Sequence, residues 1–156
     1  MSFSGFPDAP QHKTVANDGW FPDMDLAELQ TAYRAPADIS PEALTRHLAL
    51  AMAWANAQLA EWRAAREAEG RSSLAGVPAS TLGGVSELAT LYAHAVCCRA
   101  KSRLIWQSRP LSRSGSAKNT LDDADDTGAT AGVWMQYAEA ALAALQGKET
   151  SAVRLI

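Results

Sequence analysis

No stretch of about 18 apolar residues occurs in this chain, which excludes a helical membrane span. Cysteine is nearly absent: the two present, Cys97 and Cys98, are adjacent. Neighbours on a helix point about 100° apart, a geometry unsuited to an ordinary disulfide, so both read as free thiols of a reducing compartment. Nothing close in the sequence supplies a base to activate them, and the pair reads as buried or half-buried filler. Histidine is scarce, and His12, His47 and His94 belong to no HExxH pattern or His/Cys cluster at metal-ligand spacing. The Gly83-Gly84 pair is not followed by the Lys and Ser/Thr of a phosphate loop, and there is no nucleophile elbow. The expectation is a protein without catalytic residues, cofactor or metal. Charge is also modest, at a net −3, so whole-molecule electrostatics do not argue for nucleic-acid or membrane binding. The N-terminus "MSFSGFPDAPQHKT" lacks the basic start and apolar core of a signal peptide, which implies synthesis and residence in the cytoplasm.

Strand-like alternation is not sustained anywhere, and aromatic residues make up only 7% of the chain against 47% hydrophobic residues rich in alanine. That mixture favours closely packed helices. The length, 156 residues, suits one domain with modest appendages. The predicted fold is all-α: an antiparallel bundle of three long helices plus one short N-terminal helix. An extended N-terminal arm (1–24) and a C-terminal tail (148–156) flank the bundle domain (25–147).

The arm ends in "WFPDMD", where Pro22 biases Phe21 towards an extended backbone. Trp20 and Phe21 make an aromatic anchor with two possible receivers, the chain's own bundle or a neighbour. Asp25 is placed to cap a short helix, "DLAELQTAYR". The strongest helix spans 40–70, with Ser40 as N-cap, Pro41 at the first helical position and Gly70 as the stop. Leu44, Leu48, Met52, Ala55, Leu59 and Trp62 form one apolar stripe. A second stripe, Ala43, His47, Leu50, Trp54 and Ala57, predicts a further neighbour, and that neighbour can be another subunit. The stretch 71–84 reads as a loop. A helix from Val85 to Ser108 ends before Pro110, and a last one from about Asn119 ends at Gly147. Leu121, Ala124, Gly128, Ala131, Met135, Ala138, Leu142 and Leu145 form its narrow seam of mostly small residues.

Charge is unevenly placed. Arg99, Lys101, Arg103, Arg109, Arg113 and Lys118 fall in a stretch with no acid between Glu87 and Asp122. The run Asp122, Asp123, Asp125 and Asp126 follows immediately. These blocks read either as a solvated loop in partial self-neutralisation, or as a basic face for phosphate or an acidic partner beside an acidic patch that repels DNA. A small helical DNA-binding or packaging-associated protein using 99–118 is the alternative functional class.

From Trp20 onward the order of features is specific: "FPDMD", "ANAQLAEWR", "GVPA", "YAHAV", a polar loop, then a helix ending "QGK" before a short apolar tail. This order resembles the head completion proteins of Peduovirus-type myophages, the L protein family, over about residues 20–156. The resemblance implies a structural virion protein at the head–tail neck, assembled in the host bacterial cytoplasm. Its partners would be the portal protein, a neck or tail-terminator protein, and copies of itself in a ring, usually a dodecamer. Packaged double-stranded DNA would pass nearby without sequence-specific binding. By analogy with the adaptors of other tailed phages, the tail residues Val153, Arg154, Leu155 and Ile156 would grip the portal. Trp20, Phe21, His47, Leu50 and Trp54 would serve arm docking or the subunit interface. Asp122, Asp123, Asp125 and Asp126 would face the channel.

Overall fold

The computed structural model describes residues 12–35, 39–107 and 120–148, with the side chains of 120–129 outside that description. Its elements begin with a two-residue strand β1 (Thr14–Val15), which pairs antiparallel with β2 (Met24–Asp25). Helix α1 (Leu26–Thr31) follows directly, and the Asp25 carboxylate accepts from the Ala27 N–H at 2.9 Å, as a capping aspartate does. Helix α2 (Pro41–Gln58) starts as its sequence predicts, with Ser40 Oγ accepting from the Ala43 N–H at 3.2 Å.

The expected single helix over 40–70 is divided. Leu59, at φ −96° and ψ 3°, separates α2 from α3 (Ala60–Ala68). The Leu59 N–H still bonds to the Ala55 carbonyl, and the Arg63 N–H to that of Leu59, so the chain bends without losing its ladder. No proline or glycine marks the site. Leu59 itself is fully buried, and the bend directs Trp62 and Arg63 at Trp20, a tertiary cause that helical periodicity does not carry. Gly70 then stops α3 with φ +87°, while the Arg71 N–H reaches the Arg66 carbonyl at 3.0 Å.

The stretch 71–84 contains more order than a loop. A single 3-10 turn, Leu74–Gly76, buries Leu74. Strands β3 (Thr81–Leu82) and β4 (Val85–Ser86) form a hairpin across Gly83 and Gly84, both at positive φ (57° and 81°), as a two-residue hairpin turn demands. Val85 therefore belongs to a strand, and α4 begins later than expected, running Glu87–Gln107. Helix α5 (Thr120–Leu145) closes the described chain, and Gly147 ends it at φ +68°.

Two cross-links fix the helix directions. His47, early in α2, bonds to Gln107 at the end of α4, while Asn56, late in α2, bonds to Tyr92 near the start of α4. Helix α4 is therefore antiparallel to α2. Ser102 Oγ donates to the Ala131 carbonyl, and Arg99 lies against Met135, so α5 is antiparallel to α4. Helix α4 sits between the other two and is buried on several sides by Tyr92, Ala95, Val96, Cys97, Ala100 and Leu104. The Leu44, Leu48, Met52, Ala55 and Leu59 stripe of α2 is buried, as are Ala131, Ala138, Leu142 and Leu145 of the α5 seam, with Met135 of the same seam half-buried. The molecule is thus mostly helical, with two small antiparallel sheets that the sequence did not announce.

Candidate functional site

The first candidate, Trp20-Phe21, is built inward. Asp18 Oδ1 accepts from the backbone N–H groups of both Trp20 and Phe21 at 3.0 Å, a local turn that Gly19 completes at φ +87°. Both rings are buried in the chain's own core, at 4% and 2% exposure. Phe21 stacks on Tyr92 of α4, with ring centres 4.9 Å apart, and Trp20 meets Trp62 of α3 edge-on at 6.1 Å. The Trp20 carbonyl accepts from the Leu74 N–H at 2.9 Å. Residues 12–24 therefore fold against the bundle, and the receiver of the anchor is the same chain.

Beneath the rings three side chains close a cycle. The Tyr92 hydroxyl donates to Asn56 Oδ1 (2.6 Å), Asn56 Nδ2 donates to Asn17 Oδ1 (2.9 Å), and Asn17 Nδ2 donates to the Tyr92 oxygen (2.7 Å). Asn17 Nδ2 also donates to the Pro22 carbonyl at 2.9 Å. Burial pushes the Tyr92 phenol upward, against the opposing hydrogen bond from Asn17. Over the outer side lies Arg63, 5.2 Å from the Trp20 ring centre, paired with Asp18 at 2.6 Å and Glu67 at 2.9 Å. Partial burial pushes the Asp18 carboxyl up, but the two backbone donors and Arg63 outweigh it and hold it below its ordinary 3.8. Arg63 in turn is raised, first by its hydrogen bond to Glu67. No buried side-chain nitrogen or oxygen of Asn17, Asp18, Asn56, Arg63 or Tyr92 lacks a hydrogen-bond partner.

The second candidate is a groove of about 420 Å³ between α4 and α5. Arg99, Arg103 and Trp106 line one wall at helical steps of four and three, facing Gly132 and Met135 on the other. Arg99 lies over the Trp54 ring of α2 at 5.2 Å. The buried Nε atoms of Arg99 and Arg103 have no hydrogen-bond partner, and neither arginine joins an ion pair among the described residues. Desolvation lowers the Arg99 pKa, the charge of Arg103 adds to the effect, and Glu139 opposes it.

A third cluster corrects the expectation that no base lies near the cysteines. His94, one helical turn before Cys98, brings Nε2 to 3.5 Å from its sulfur, and the Tyr33 hydroxyl meets His94 Nδ1 at 2.7 Å. The arrangement resembles an activated thiol, but Cys98 is fully buried and desolvation pushes its thiol up to about 12. Essentially no thiolate exists near neutral pH, and the cluster acts as packing. Both cysteines are free, and no metal-binding group of three or more acidic, His or Cys side chains occurs among the described residues. No helix among them is long and apolar enough to cross a membrane.

The remaining sequence candidates scatter. His47 is buried and bonds through Nε2 to Gln107 at 2.8 Å, so it serves the α2–α4 contact. Trp54 is half-buried under Arg99, while Leu50 is 46% exposed, so burial varies along the second α2 stripe. Asp122, Asp123, Asp125 and Asp126 lie in the first turns of α5, with their side chains outside the described residues. Val153, Arg154, Leu155 and Ile156 lie outside the described residues altogether. Exposed Leu82 and Val85 on the hairpin, Trp106 on α4, and Val133 with Tyr137 on α5 are apolar positions that the sequence reading did not single out as surface. It also missed Asn17, Asp18, Asn56 and Arg63. Asp18-Gly19 is a readable turn signal, whereas the Asn56–Tyr92 pairing joins residues far apart in sequence and has no local signature.

Comparison with known proteins identifies the family. The model of the phage head completion protein family (GPL) matches residues 15–156. The chain is 30% identical over 119 residues to the head completion/stabilization protein of Escherichia phage P2, covering 76% of this chain and 70% of that one. No solved structure gives a significant match. The chain belongs to the phage head completion protein family.

Proposed function

We propose that this member of the phage head completion family acts at the portal vertex of the DNA-filled head. It assembles there as a ring-forming adaptor and offers the platform for neck or tail attachment. The observation that carries the reading is the family match across 15–156, which spans the whole described bundle. Surface chemistry supports it. Leu50 on α2 and Val133 with Tyr137 on α5 are exposed apolar positions on different helices. Head-to-tail contacts between unlike surfaces of identical subunits form rings when the rotation between subunits closes, and such contacts require two separate patches per subunit.

In this reading the protein is a virion component at the head–tail neck. Its partners are the portal protein, a neck or tail-terminator protein and further copies of itself, in a ring expected to be a dodecamer. The apolar tail Val153–Ile156 grips the portal, and the acidic run 122–126 at the start of α5 faces passing DNA and repels it. The test is electron microscopy of purified protein mixed with portal rings. Extra density at one face of the portal, with matching rotational symmetry, is the expected result. Absence of binding to the portal, with the same protein binding duplex DNA on a steep salt slope, would replace the adaptor with a DNA-binding role.

A further inference from the structure

We propose that the groove between α4 and α5 is a docking site for a carboxylate-bearing segment of a partner protein. Arg99 and Arg103 receive the carboxylate, and Trp106 and Met135 receive an adjacent apolar side chain. The site stands on its own geometry and does not depend on the assembly role proposed above.

The first support is a deficit. Arg99 and Arg103 are one helical turn apart, so two like charges share one wall of a half-enclosed groove. No carboxylate pairs with either arginine among the described residues, and Arg99 Nη1 donates to the thioether of Met135 at 2.8 Å. Two neighbouring guanidinium groups without a carboxylate favour a ligand that brings negative charge. Arg63, by contrast, holds both Asp18 and Glu67, and Arg66, whose Nε is likewise buried without an acceptor, still pairs with Glu69. Desolvation and the Arg103 charge lower the Arg99 pKa, against the opposing charge of Glu139.

The second support is space. Gly132 lies inside α5, where glycine weakens a helix. A Cβ added there would meet nothing within 4 Å, so no intramolecular packing requires its absence. The missing side chain leaves the groove open opposite the arginines.

The lining selects the occupant. A guanidinium fork suits carboxylate and phosphate alike. An indole and a thioether flanking the fork suit a protein segment whose acid neighbours an apolar residue. A duplex backbone calls for an open row of cations, whereas here two arginines are recessed and the chain's net charge is −3.

The test follows the arginine Nε–H signals of the full chain by nuclear magnetic resonance. The probes are a short synthetic peptide of leucine and glutamate, the same peptide with glutamine for glutamate, and a short duplex DNA. The glutamate peptide is expected to shift the Arg99 and Arg103 signals and the glutamine peptide to leave them unmoved. Arg103→Gln should weaken binding by about tenfold or more, the scale of one charged hydrogen bond. Gly132→Leu should block the groove with the thermal melt unchanged; Gly132→Ala, with its smaller intrusion, serves if leucine disturbs the fold and should weaken binding. Three results would overturn the proposal: no shift up to about 5 mM peptide, where affinity is negligible; equal binding of the glutamine peptide; or no effect of Arg103→Gln. If DNA moves the same signals at lower concentration with a steep salt slope, the site is for phosphate and the proposal fails.

Discussion

The Trp20–Phe21 latch and the α4–α5 groove use the same materials to opposite ends. Each sets arginine against an aromatic ring: Arg63 over Trp20 at 5.2 Å, Arg99 over Trp54 at the same distance. In the latch the arginine has two carboxylates, the indole is buried, and the asparagine–tyrosine cycle beneath is closed. In the groove the guanidinium Nε atoms lack acceptors, Trp106 is half exposed, and a glycine leaves open space opposite. A polar cluster whose bonds all close within the chain holds the fold. The groove, whose two arginines have no ion pair among the described residues, is where we propose that a partner docks.

That contrast can be broken by mutation. The largest effect is expected at Trp20→Ala, which empties a buried site between Phe21 and Trp62 and should cost about 3–5 kcal/mol of stability by urea denaturation. A loss under about 1 kcal/mol would mean that the latch does not hold the bundle. Asn56→Ala comes next. It strips the Tyr92 hydroxyl of its acceptor and Asn17 of a donor, for about 1–3 kcal/mol in the same measurement.

Acid should weaken the latch through Asp18. Its folded carboxyl lies below the ordinary 3.8, so its stabilising contribution is complete above that value and is lost as pH falls through the folded one. Melts between neutral pH and pH of about 3 should show a drop that Asp18→Asn reduces. An unchanged pH profile in the variant would remove Asp18 from the ledger of acid sensitivity. The smallest effect belongs to the groove. Arg103→Gln removes a side chain without an ion pair and should move stability by no more than about 0.5 kcal/mol. A loss like that at Asn56 would place this arginine in the fold's own support and erase the contrast.

Much of the helical plan was legible because its signals are local. Ser40 caps α2, Asp25 caps α1, and Gly70 and Gly147 stop α3 and α5, each where side-chain chemistry or positive φ requires it. The buried face of α2 followed from a helical step of three or four, and the same rule found Ala131, Ala138, Leu142 and Leu145. Leu59 was legible as a core residue but not as a bend, because the bend answers to Trp20, far back in the chain. The hairpin at 81–86 was overlooked because two-residue strands are too short for alternation to register, although Gly83-Gly84 gave its turn. The groove was half visible: the acid-free stretch from Arg99 was plain, but its facing wall lies on α5.

The sequence by itself determined the helical class, the main helix boundaries, the free cysteines and the family, since capping, periodicity and motif order are written along the chain. Only the tertiary structure decided which receiver Trp20 and Phe21 have, which of the described arginines find carboxylates, and that burial holds the Cys98 thiol beside His94 in its neutral form. Those outcomes depend on desolvation and on partners distant in sequence. They exist only once the chain has folded and water has been excluded.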